Sequence, residues 1–329
     1  MRTLHCLLVL LLTATATVAR SAERLYACGD DQVREYRVQA TSATEIWRWS
    51  AAQAKDLPDA YRQKLLSHID ECKPVEGGRA ILVTSSTGGV VLLDRASGRV
   101  LFKALAPMAH SAEYLPNGLI AVALSIEPKG DRLQLYDRYC NEKPLLETPL
   151  PSGHGVVWDG QRQRLFALSH DLLQAFTLSG DRASPVLQES ERWTLPGRRD
   201  GHDLSALGDG RYAVTTDDGV WLFSPDSGVF STFEPLRSAS RVKALSVMDE
   251  RMAWVEVEQS WWPLVFISLS ATAAAGCVCQ SRTCICTRCA GCNDLSVSDG
   301  LPAQFPAPTS TALRNRLASL AGGRPNRRT

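Results

Sequence analysis

The chain has 329 residues, 44 % of them hydrophobic, which is enough for one large domain with a sizeable core. Lysine and arginine total 36 against 35 acidic residues, a net charge of +1. That balance gives no bulk attraction to nucleic acid or acidic lipid, so no nucleic-acid partner is expected.

The first residues read as a secretory signal. Arg2 supplies the positive end, residues 4–12 form an apolar core broken only by His5, and small residues follow through Ala19. Cleavage after Ala19 satisfies the small-residue rule, and Ala22 is a less regular alternative. Residues 1–22 are therefore assigned to a signal peptide, and a periplasmic or secreted protein is expected. The apolar run is short for a membrane span, as are residues 261–270, so no stable span is expected after signal removal.

Between the signal and residue 277 the cysteines are Cys28, Cys72 and Cys140. An oxidising compartment favours one disulfide and one leftover thiol, with Cys28 and Cys72 preferred because they flank the first unit. Buried free thiols are the alternative.

From Leu25 onward the pattern is short strand, turn, short strand. The first unit holds Leu25, Tyr26 and Ala27, then the run 33–38, then the alternating Ile46, Trp47, Arg48 and Trp49. Residues 51–68 form the one helical stretch, divided by Pro58, and read as an insertion outside the repeat. The next unit contains runs 80–84, 89–94 and 99–104. A third begins near His110 and holds runs 119–124 and 132–137. A fourth runs from His154 through 156–158, 164–168 and 172–176. A fifth starts at His202 and holds 211–215, 219–223 and 229–233. A sixth begins at 242–247 and continues through 251–256.

The three histidines recur at spacings of 44 and 48 residues, about one four-stranded propeller blade. Regular helices of the kind βαβ units need are lacking. A sandwich also uses many short strands, but the self-similarity, the blade-sized spacing and the repeated aspartate before a turn favour a propeller. The fold expected is all-β, a six-bladed β-propeller over residues 23–268 with one short helical insertion. Stacked equivalent positions would bring the histidines together around a central channel. The tryptophans 47, 49, 158, 221 and 254 are expected to pack between blades.

The first unit has only about three strands, so ring closure calls for a strand after Trp262. Composition changes there. Residues 269–329 are rich in small residues and arginine, with Cys277, Cys279, Cys284, Cys286, Cys289 and Cys292 close together. Thiolate number alone permits zinc or a sulfur cluster; irregular disulfides are a second reading. A third is a low-order tail produced by a shifted reading frame beginning near Pro263, which also makes the basic stretch 314–328 incidental.

Several motifs together resemble a known family. They are the run from His110 to Gly118, the run from His154 to Asp159, Gly201 with His202, Asp203 and Leu204, and Ser260 with Trp261 and Trp262. Cys72 with Lys73, the run 81–85, and Val242 with Lys243 and Ala244 match it too. The chain is similar over residues 25–262 to uncharacterised secreted bacterial proteins thought to form six-bladed β-propellers. The resemblance implies a fold and transfers no activity.

The candidate site is argued from chemistry. His110, His154 and His202 begin the innermost strands, with Glu113 and Asp203 close by in sequence and Lys243 in the corresponding place of the next unit. Lys73 occupies a similar place in the second. Neutral imidazoles and a carboxylate suit a divalent metal such as zinc, manganese or iron. The main expectation is a channel that binds a small polar or anionic, carbohydrate-like ligand. Alternatives are a metal-dependent polysaccharide lyase or hydrolase, and a protein-interaction scaffold with a protein partner. A monomer is expected, and the same histidines also suit purely structural bonding between blades.

Overall fold

The computed structural model describes residues 23–39, 42–197, 200–248, 251–259, 262–268, 276–280 and 283–285. The expected signal peptide (residues 1–22), Cys286, Cys289, Cys292 and the stretch 314–328 lie outside the described residues, and no side chain after residue 256 is described. Among the described residues no helix is long and apolar enough to cross a membrane.

The first sheet is β1 (Glu23–Gly29), β2 (Gln32–Val38) and β3 (Ala43–Ser50), paired in that order. The next is β4 (Ile69–Val75), β5 (Ala80–Ser85), β6 (Gly89–Asp94) and β7 (Val100–Leu105). A third holds β8 (Ala109–Tyr114), β9 (Leu119–Leu124), β10 (Arg132–Asp137) and β11 (Pro144–Pro149). The fourth is β12 (Gly155–Asp159), β13 (Arg164–Leu168), β14 (Leu172–Gly180) and β15 (Pro185–Thr194). The fifth is β16 (Gly201–Ala206), β17 (Tyr212–Thr216), β18 (Val220–Ser224) and β19 (Val229–Thr232). The last is β20 (Val242–Met248), β21 (Arg251–Gln259), β22 (Trp262–Ser268), β23 (Gly276–Gln280) and β24 (Thr283–Ile285). Every pairing is antiparallel between sequence neighbours.

The molecule is an all-β propeller of five blades, not six. Five sheets carry four or five strands, whereas the N-terminal sheet carries three. Residues 51–68, where a fourth strand would pair with β3, instead form a 3-10 turn at Ala51–Gln53 and one π-helical turn at Tyr61–Leu65. Leu57, Tyr61 and Leu66 from this segment are buried against Ile81, Val83, Val91 and Leu93. Apolar burial thus takes the segment away from the sheet edge. The same finding corrects the six-bladed fold implied by the family resemblance. At the other end, β22, β23 and β24 extend the last blade. Backbone strands at 276–280 and 283–285 therefore fall within the stretch expected to be a low-order tail.

Alternation explains the core. In β5, Ala80 and Leu82 join one apolar cluster while Ile81 and Val83 join another. In β9, Ile120, Val122 and Leu124 face one interface and Leu119, Ala121 and Ala123 the opposite one. Such strands bury both faces between neighbouring sheets, so they read as continuous apolar runs. Trp47 and Trp49 pack in the cluster joining the first two sheets, Trp158, Trp221 and Trp254 in three later ones.

Candidate functional site

The innermost strands of four of the five blades share one irregularity. Register slips between Ile69 and Glu71, Ala109 and Ser111, Gly201 and Asp203, and Val242 and Ala244. Each slip leaves one residue out of the ladder: Asp70, His110, His202 and Lys243. A β-bulge re-aims the side chain it carries and is common beside functional sites. In the remaining inner strand, His154 stands just ahead of Gly155, its amide donating to Leu168 O at 3.0 Å.

These positions converge. The ring centroids of His110 and His154 are 4.6 Å apart, and those of His154 and His202 are 5.7 Å apart. His154 Nδ1 lies 2.9 Å from the carbonyl oxygen of Ser152, which assigns the proton to Nδ1 and leaves Nε2 as an acceptor. His202 Nε2 lies 2.7 Å from Asp217 Oδ1 and 4.0 Å from Asp200 Oδ2. Lys243 Nζ stands 2.6 Å and 3.2 Å from the two ring nitrogens of His202 and 3.6 Å from Asp217 Oδ1. Asp70 Oδ1 is 3.9 Å from His110 Nδ1. The His202 side chain is only 7 % exposed.

Burial dominates the electrostatics of this ring. It lowers His110 to about 4 and His154 to about 3, so both are neutral near pH 7. His202 is lowered by burial against the opposing hydrogen bond from Asp217. Lys243 is lowered for the same reason, with Asp217 and Asp200 working the other way. Burial raises Asp70 to about 6.

Below the ring lie two further layers. Glu71 Oε2 accepts from Ser111 Oγ at 3.0 Å and from the Ala112 amide at 2.9 Å. Asp203 Oδ2 accepts from Ser205 Oγ at 3.0 Å and the Leu245 amide at 2.8 Å, and burial raises the carboxyl to about 6. Lys73 Nζ donates to Glu113 Oε2 at 3.1 Å and to Val156 O at 3.0 Å. Burial works to lower Lys73, yet Glu113 and Glu71 hold it above its ordinary value. Burial likewise raises Glu113 against the pull of Lys73. Glu113 and Asp203 thus tie inner strands together below the imidazoles.

Asp200, His202 and Asp217 offer one nitrogen and two oxygens within 4.8 Å of one another, a donor set that can hold a metal ion. One imidazole with two carboxylates suits a divalent cation of borderline hardness. His202 is the only member of the expected set in this triad. Asp200 and Asp217 escaped the sequence reading because Asp200 lies just ahead of β16 and Asp217 just after β17, outside the runs that repeat. Asp70 carried a usable signal: aligning Asp70, Glu71, Cys72 and Lys73 with His110, Ser111, Ala112 and Glu113 puts it in register with the imidazoles.

None of the curated proteins matches this chain. A crystal structure of a protein of unknown function from Bacteroides caccae is similar at 13 % identity and a TM-score of 0.49, over 73 % of this chain and 85 % of that one. A family model described as "Family of unknown function (DUF6528)" matches residues 15–262, and the chain belongs to that family.

Proposed function

We propose that the protein is a divalent-metal-dependent enzyme acting on an anionic carbohydrate, with Asp200, His202 and Asp217 holding the cation. The observation that carries this reading is their clustering at the imidazole ring. Zinc, manganese and iron each suit such donors. A cation held by these residues would neutralise a substrate carboxylate and acidify the adjacent C–H, or would lower the pKa of a water. We assign His154 as the base, because its Nδ1 proton against Ser152 O leaves Nε2 to accept.

For a lyase the proton leaves the carbon beside the uronate carboxylate, the pair forms a carbon–carbon double bond, and the neighbouring glycosidic C–O bond breaks. The leaving oxygen takes a proton from an acid. Asp70 and Asp203, both raised to about 6, stand at and just below the ring. Lys243 Nζ sits beside His202 and Asp217, so a cation at these donors would have to displace it.

The test supplies untagged protein and manganese, zinc or ferrous iron with uronate oligosaccharides, and follows unsaturated product by ultraviolet absorbance and new reducing ends by chemical assay. Metal-dependent product of either kind, lost in His154→Gln, supports the reading. Uronate binding without metal and without turnover replaces it with a ligand-binding channel.

A further inference from the structure

β1 and β4 are the neighbouring inner strands of the three-stranded sheet and the first blade. Cys28 lies on β1 and Cys72 on β4, in the same apolar cluster. Both thiols are free, and the Cys72 thiol is near enough to raise that of Cys28 above its ordinary value. Strand alternation explains the meeting. Glu71 and Lys73 point to the channel, so Cys72 between them points to the opposite face, where β1 lies. Two cysteines on neighbouring strands that share one apolar cluster are the arrangement from which a disulfide can form.

We propose that Cys28 and Cys72 form a disulfide that fastens the three-stranded sheet to the blade beginning at β4. This bond also anchors the strand that carries Asp70, Glu71 and Lys73 to the channel. The sheet's other ties to the blade include the Glu35–Arg95 ion pair, the Arg95 guanidinium over Trp47, the Ile69 amide on Asp30 O at 2.8 Å, and the shared apolar cluster.

The oxidant is a disulfide, either oxidised glutathione or an oxidised dithiol protein. One thiolate attacks a sulfur of the oxidant and releases one thiol. The second thiolate attacks the resulting mixed disulfide and releases the other, so two protons and two electrons leave the pair. The neighbouring Cys72 thiol, together with burial, holds the Cys28 thiol well above its ordinary value, which slows its attack as a thiolate near neutral pH.

The full chain is incubated with oxidised glutathione, alkylated in denaturant, digested and mapped by mass spectrometry, with melting followed in parallel. Mapping separates this link from any made by Cys140 or the cysteines after residue 276. A Cys28–Cys72 peptide, with Tm raised by about 5 to 10 °C over the reduced protein, is expected. Cys28→Ser should abolish both the link and the oxidant-dependent shift. Full alkylation of both cysteines after oxidation, or a link that leaves Tm unchanged, overturns the proposal.

Discussion

His154 is held at about 3 by burial, far below a histidine in the unfolded chain. Between about pH 3 and pH 6.5 the unfolded state therefore binds more protons, and stability present above that window is lost as pH falls through it. Each such histidine adds up to about 1.4 kcal/mol per pH unit to the slope. His154→Gln keeps a donor for Ser152 O but cannot titrate. Urea unfolding of this variant at stepped pH should show a shallower acid-side loss than the parent; an unchanged slope would contradict the burial described. Gly155, the next residue, is set by space: an added Cβ would stand 2.7 Å from Leu204 Cβ and 3.0 Å from Leu204 N. Gly155→Ala should cost about 1 to 3 kcal/mol in denaturant unfolding, because β12 and β16 must move apart.

At the scale of elements, the sequence made the inner-strand histidines visible because they open each repeat. It hid the device that aims them. A bulge at His110, His202, Lys243 or Asp70 has no signature of its own in one chain. Strand β4 was likewise missed, since Cys72, Lys73 and Pro74 lack apolar alternation. Where alternation serves two interfaces at once, as in β5 and β9, the runs were plainly legible. The attachment of β1–β3 rests on a fully buried carboxylate: Glu35 is paired with Arg24 at 2.7 Å and with Arg95, whose guanidinium also lies 4.5 Å over Trp47. Arg24 is 61 % exposed, so Arg95 is the partner that matters. Arg95→Met leaves the carboxylate under-paired and should cost about 2 to 4 kcal/mol. Hydrogen exchange should show the loss concentrated in β1–β3; protection unchanged there would count against this role for the pair.

For the whole molecule, blade-sized spacing led to the propeller but overcounted it. Six units are legible as strand patterns, yet the first never receives a fourth strand because its continuation is buried as helical turns. The family match and the composition both change at Trp262. We retain a reading-frame shift near Pro263 as a proposal, checked by translating the parent DNA in the other frames past that codon.

Central to the site is the proposed cation at Asp200, His202 and Asp217 of one blade, beside imidazoles contributed by its neighbours. The direct measurement is calorimetric titration of metal-stripped, untagged protein with manganese and zinc, alongside Asp217→Asn and His202→Ala variants whose folding is verified by circular dichroism. One cation per chain is expected, with affinity lower by at least about 100-fold in either variant. Absence of binding, or equal affinity in folded variants, would contradict the site.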